Sequence, residues 1–204
     1  GRAAWSEILG NYGYLPTPED YSHVIGRPYE VFYDYFRARA ALPDPVALKR
    51  EYEPLLLPRL RAELRAFPDA ADAIAGLRSA GIPQAIASSS HRSRLDLMLE
   101  VTGLAPSFAV VVSGSDVHHG KPAPDIYLKA AQALGLEAAR CLAVEDATAG
   151  VQAALAAGMS VMAVDRGGEV RQGLDEADWV VSGLQAKELI GLLTHDDKPE
   201  RTYR

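Results

Sequence analysis

The chain has 204 residues, a formal net charge of −6, 48% apolar residues and a single cysteine, Cys141. That length supports one core domain plus a modest second unit, and the acidic balance, without a Lys/Arg block, argues against nucleic acid or an anionic membrane as a partner. One cysteine excludes an internal disulfide and a Cys-rich metal site, and no apolar run reaches the length of a membrane span.

Residues 1–66 read as helical throughout. Trp5, Ile8 and Leu9 recur at helical spacing, and Thr17 is placed to cap a short helix opening at Pro18. Gly26-Arg27-Pro28 marks a break, after which Val31, Phe32, Tyr35 and Phe36 form an apolar stripe. A longer helix is expected from Val46 to Ala66, with Pro54 and Pro58 as candidate kinks. This is a small helical unit, 1–66. The character changes at Phe67-Pro68, and an α/β unit is expected over 67–195, followed by a polar tail, 196–204.

In that second unit an amphipathic helix over Asp69–Ala80 ends at Gly81. Strands are expected at Pro83–Ala87, Phe108–Val112, Cys141–Val144, Ser160–Val164 and Trp179–Val181, with Cys141 buried in its strand. Helices are expected at His91–Val101, Pro124–Leu134, Ala147–Ala157 and Leu184–Leu193, several closed by glycine. Strands alternating with helices of ten to fifteen residues indicate βαβ units and a parallel sheet. The fold class is α/β.

In open α/β sheets ligands bind at the carboxyl ends of the strands, and the residues there set the chemistry. Ser88-Ser89-Ser90 follows a strand and precedes a helix; it reads either as a phosphate cradle at a helix N-terminus or as a plain helix cap. Lys121 lies between Gly120 and the prolines of Gly120-Lys121-Pro122-Ala123-Pro124, which stiffen the backbone and fix where the ammonium starts. Glu145-Asp146 ends a strand; two acids there suit a hard cation, although Asp146 also reads as a helix cap. Arg27, in the break of the helical unit, reads either as a substrate contact across a cleft or as a solvated arginine. His118-His119 lacks a third ligand at metal-site spacing, and Ser88 with His91 lacks the acid of a triad.

The order Ser88, Lys121, Glu145-Asp146, each on its expected element, resembles the haloacid dehalogenase superfamily, and most of all its capped phosphatases and β-phosphoglucomutases. IASSS resembles the family's second motif, GKPAPDIY its lysine motif and VEDATAGVQAALAAGM its acidic metal motif, while FPDAADAIAGLRSAGI resembles the re-entry from cap to core. The resemblance implies a Rossmann-like parallel-sheet core with a small N-terminal helical cap. It implies that Ser88 binds the transferring phosphoryl group, that Lys121 neutralises it, and that Asp146, helped by Glu145, holds Mg²⁺. Arg27 falls where cap residues of the family touch substrate, and Ser89, Ser90, His91 and Arg92 fall among the polar substrate contacts, with His91 and Arg92 differing in type from the mutases.

The family's nucleophile lies on an N-terminal strand ending in Asp-x-Asp-Gly, and this sequence contains no such motif. The first core strand is therefore expected to be missing and the nucleophile to lie upstream of Gly1, in a longer enzyme. The implied activity is Mg²⁺-dependent phosphoryl transfer from a small phosphorylated metabolite, a sugar phosphate above all, through an aspartyl-phosphate. The alternatives are a β-phosphoglucomutase-type mutase and a non-catalytic relative that binds phosphate or Mg²⁺. A dehalogenase needs no metal, and a dinucleotide-binding protein would need a G-x-G-x-x-G after its first strand. A cytoplasmic monomer or weak dimer is expected.

Overall fold

The computed structural model describes residues 2–24, 29–167 and 173–194. The expected tail lies outside them.

Four helices come first: α1 (Arg2–Asn11), α2 (Pro18–Ser22), α3 (Tyr29–Arg37) and α4 (Pro45–Glu63). Their apolar residues recur at i, i+3 or i+4 and turn one stripe inward. Trp5, Ile8 and Leu9 of α1, Phe32 and Phe36 of α3, and Leu48, Tyr52, Leu56 and Leu60 of α4 share one cluster. Trp5 is its centre, with its ring stacked 3.7 Å from Phe32 and 3.9 Å from Tyr52, centroid to centroid. Asp44 caps α4 by accepting from the N–H groups of Val46 and Ala47, both at 3.0 Å. The helix then runs unbroken through Pro54 and Pro58. Both prolines are exposed and four residues apart, on the solvent face, where water can take up the carbonyls they leave unbonded.

The core follows Phe67. Helix α5 (Pro68–Ser79) leads to β1 (Ala85–Ser88), α6 (Arg92–Thr102), β2 (Val110–Ser113), α7 (Asp125–Leu134) and β3 (Leu142–Glu145). Then come α8 (Thr148–Ala156), β4 (Ser160–Val164), β5 (Trp179–Val181) and α9 (Ala186–Thr194). All strand pairs among the described residues are parallel, as the alternation predicts. Cys141 departs from expectation: it precedes β3, is half-buried, and its thiol points back to the Glu137 carbonyl.

The sheet is in two pieces. One pairs β1 with β2, Ser88 opposite Ser113; the other runs β3-β4-β5, with Glu145 opposite Ala163. One apolar cluster spans both, joining Val112, Ala143, Val161 and Ala163 to Ile126, Tyr127, Ala130 and Ala131 of α7. Parallel strands are normally covered on both faces, yet Val144, in the middle of β3, is 42% exposed. The facing edges of β1 and β3 are not paired to each other.

A polar hub ties the helical unit together. Asp20 is buried and accepts from the Thr17 N–H (2.7 Å), the Thr17 hydroxyl (2.9 Å), Tyr14 (2.9 Å) and Tyr35 (3.0 Å). Burial alone would raise its pKa, but these bonds outweigh it and bring the carboxyl down from 3.8 to about 2. A folded-state pKa below the unfolded one stabilises the fold above the unfolded pKa, and that contribution is lost as pH falls through the folded value. Asp20→Asn should therefore cost about 2 kcal/mol near neutrality. In urea titrations the gap between variant and wild type should shrink as pH falls from about 4 toward 2. A gap that does not change with pH would show that the charge is not what stabilises.

Candidate active site

Ser88, Ser113 and Glu145 are the last residues of β1, β2 and β3, so the site lies at the carboxyl end of both sheet pieces. After β1 the chain turns tightly: the Ser90 N–H donates to the Ser88 hydroxyl oxygen at 3.2 Å. Gly114, just past β2, clamps this turn, its N–H donating to the Ser90 carbonyl at 3.0 Å. A Cβ on Gly114 would sit 2.5 Å from the Ser89 carbonyl oxygen, so only glycine fits. Below it, buried Ser113 bonds Asp116 through both its N–H and its hydroxyl, each at 2.7 Å. Helix α6 begins at Arg92 with His91 at the cap position and no side-chain cap bond. Neither Ser89 nor Ser90 is a plain helix cap.

Lys121 reaches from the loop before α7 to both sheet pieces. Its ammonium donates to the Ala87 carbonyl at 3.0 Å on β1 and ion-pairs with the Glu145 carboxylate on β3. Tyr127, one turn into α7, completes the group: it accepts from Lys121 at 3.2 Å and donates to Glu145 Oε1 at 2.5 Å. Its ring lies under the ammonium, 4.7 Å from centroid to nitrogen. Burial first, and then the Glu145 charge, push the Tyr127 phenol far above its ordinary range, so it stays a donor. Sequence reasoning missed Tyr127, although its position six residues after Lys121 on a core-facing helix was the available signal.

Gly150 makes room for this arrangement. A Cβ there would collide with the Glu145 carboxylate. Asp146 follows Glu145 but is not the cap of α8; that position belongs to Ala147, which makes no side-chain cap bond. Burial, and then the neighbouring Glu145 charge, raise the Asp146 pKa. Lys121 and Glu145 cancel, so these three groups leave one net negative charge at the wall.

A cavity of about 1990 Å³ opens from these strand ends to the helical unit, and Ser88, Lys121, Glu145 and Asp146 all line it. Ser89, Ser90 and His91 line it too. Arg92 does not: it bonds Asp96 at 2.9 Å, one turn along its own helix, while Arg94 faces the cavity instead. Arg27 lies outside the described residues. His119 is exposed and pairs with Asp125 at 3.0 Å, and no cluster of three metal-ligating side chains occurs among the described residues.

The donor chemistry fits Mg²⁺. The ion takes oxygen ligands, usually one or two carboxylates with several waters. Asp146 supplies a carboxylate that no cation neutralises directly. Glu145 spends Oε1 on Lys121 and Tyr127, and its Oε2 accepts the Asp146 N–H at 3.1 Å. A wall with one net negative charge repels a phosphate; with a divalent cation in place it attracts one.

The family model described as haloacid dehalogenase-like hydrolase matches residues 3–164. Fructose-1-phosphate phosphatase YqaB of Escherichia coli is 33% identical over 166 residues, covering 80% of this chain and 86% of its own. Protein CbbY of Rhodobacter capsulatus is 38% identical over 125 residues, 59% of this chain; the match spans about half (54%) of that relative's length. The crystal structure of CbbY from Rhodobacter sphaeroides with xylulose 1,5-bisphosphate superposes with a TM-score of 0.77 at 26% identity, over 89% of this chain and 86% of that one.

The contact at Gly150 yields a stability test. In an ordinary helix Gly→Ala gains up to about 1 kcal/mol. Here Gly150→Ala should instead destabilise, because the new methyl pushes Glu145 off Lys121 and Tyr127, and breaking a buried ion pair costs about 3–5 kcal/mol. Thermal unfolding checks the sign; an unchanged or raised melting temperature would show that Glu145 relocates freely.

Proposed function

The chain belongs to the haloacid dehalogenase-like hydrolase family, and on that premise we propose that it is the cap-and-core part of a Mg²⁺-dependent phosphatase for small sugar phosphates. The observation that carries this reading is the convergence of Ser88, Lys121 and Asp146 on one cavity beneath the helical unit. Hydrolysis rather than mutase chemistry is favoured by the relative named a phosphatase at 33% identity.

The nucleophile is assigned to an aspartate upstream of Gly1, on a strand lying between β1 and β3. Two observations support that slot: the facing edges of β1 and β3 are unpaired, and Ala87 and Val144 on them line the cavity. The aspartate attacks phosphorus and the ester oxygen leaves, giving an aspartyl-phosphate that water then cleaves. Ser88 donates its hydroxyl to a phosphoryl oxygen. Lys121, with its three N–H directions already held by Ala87, Tyr127 and Glu145, contributes fixed charge beside the transferring group. Asp146 would hold Mg²⁺ directly, with Glu145 in support, and the bound ion would supply positive charge to the phosphoryl group. The helical unit covers the cavity and limits water access.

Purified full-length enzyme, screened against sugar phosphates with and without MgCl₂, tests this. Asp146→Asn should lower Mg²⁺-activated turnover by about 100-fold or more. It should not lower the melting temperature, since Asp146 is exposed at the cavity surface and makes no ion pair among the described residues. Unchanged Mg²⁺ activation would count against the metal site, and no phosphatase activity on any sugar phosphate would count against the function.

A further inference from the structure

The chain passes from the helical unit to the core through residues 64–67: α4 ends at Glu63 and α5 begins at Pro68. Every hydrogen bond that this span makes among the described residues is local. The Leu64 N–H donates to the Leu60 carbonyl, the Arg65 guanidinium to the Leu64 carbonyl, and the Phe67 carbonyl accepts from the Ala71 N–H. A tie to the sheet is made by Arg166, in the loop after β4. Its guanidinium carbon lies 4.1 Å from the centroid of the Phe67 ring. Its Nη2 donates to both carboxylate oxygens of Asp69, at 2.9 and 2.7 Å.

This is more than an ordinary surface pair. The Arg166 and Asp69 side chains are 30% and 28% exposed, against 60% and 67% for Arg61 and Glu100. Asp69 also accepts the Leu184 N–H at 2.9 Å, so one carboxylate joins the first turn of α5, the loop after β4 and the loop before α9. The Arg166 and Leu184 bonds hold the Asp69 carboxyl below the usual carboxylate range, so the pair stays charged near neutrality. The guanidinium is fixed by its edge on the carboxylate and by its face on the ring, which an ammonium would not reproduce. The strand register places this clamp. Glu145 lies opposite Ala163, so Asp146 is level with Val164 at the end of β4, and Arg166 stands two residues beyond. Phe67, Arg166 and Asp146 all line the cavity.

We propose that Arg166 is a positioning residue: through Asp69 and Phe67 it fixes residues 64–67, and with them the placement of the helical unit over the strand ends. It acts through those two side chains and not on the phosphoryl group. Its effect therefore falls on substrates whose leaving group is large enough to meet the helical unit, and it sets how well the enzyme favours them over smaller phosphates. The proposal rests on the phosphatase reading and adds to it a residue that governs selectivity.

Steady-state kinetics of full-length enzyme in MgCl₂, with fructose 1-phosphate and with acetyl phosphate, test it. Acetyl phosphate offers the same transferable group on a two-carbon leaving group. Arg166→Gln and Asp69→Asn should each lower kcat/KM about tenfold for fructose 1-phosphate and less than about twofold for acetyl phosphate. The double variant should lose no more than either single one, because both changes break the same pair. Phe67→Tyr keeps the flat face and should retain the wild-type ratio between the two substrates, whereas Phe67→Leu should lower it. Equal losses on both substrates, or additive losses in the double variant, overturn the proposal. So does an unchanged ratio, even where the melting temperature falls, since the clamp would then serve stability alone. A wild type that turns over acetyl phosphate but not fructose 1-phosphate lacks the selectivity in question and also overturns it. Failure of wild type to hydrolyse either compound would instead overturn the phosphatase reading, and the positioning role with it.

Discussion

The ion pair between Lys121 and Glu145 spans the break in the sheet, and most of the site's geometry follows from it. Both side chains are more than nine-tenths buried. Such a pair recovers its desolvation cost only if its remaining donors and acceptors are also satisfied. Here they are: the ammonium bonds the Ala87 carbonyl and the Tyr127 hydroxyl, and the carboxylate takes the Tyr127 proton and the Asp146 N–H. The surroundings conform to the pair. Gly150 leaves the carboxylate its space, and the proline-bounded loop fixes where the lysine begins. Among the described residues, no strand-to-strand hydrogen bond joins β1 to β3, so this side chain is the polar link between them.

Because the pair is neutral in sum, the net charge of the wall lies beside it, while the ammonium of Lys121 keeps a fixed positive end within it. Asp146 carries the uncompensated negative charge that suits a cation, and the Ser88 turn supplies neutral donors. Preorganised groups of this kind stabilise developing charge without rearranging during the reaction. The turn is held by backbone contacts to Gly114, and Gly114 by the Ser113–Asp116 bonds, so the support for Ser88 comes from β2 rather than from its own strand. The helical unit is built on a different principle, an aromatic stack around Trp5 with the Asp20 hub at its side.

Much of this is legible in the residues alone. The helical periods of α1, α3 and α7, the Thr17 cap, and the strand ends bearing Ser88 and Glu145 follow from spacing and local chemistry, which act over a few residues, whereas the Asp44 cap of α4 emerges only in the structure. What could not be read depends on packing between distant segments. Arg92 and Arg94 are chemically equivalent in sequence, and only the rotation of α6 against the core decides that Arg94 faces the cavity while Arg92 turns to Asp96. Tyr127 reads as an ordinary core position until Lys121 and Glu145 are seen to meet over it. Cys141 reads as buried because its neighbours are apolar, but the strand begins one residue later and leaves it half-covered.

The seam between helical unit and core bears on how the site opens. Arg61 and Glu100 pair across it at 3.3 Å with both side chains largely exposed, and such pairs contribute little in water. The apolar contact is stronger: Leu97 of α6 is buried in the Trp5 cluster of the helical unit. Exposing one leucine costs about 2 kcal/mol, and Met98 and Val101 of the same helix pack against that cluster too, so separating the two units costs more than one side chain. The apolar seam, rather than the exposed ion pair, therefore sets how firmly the helical unit rests on the core.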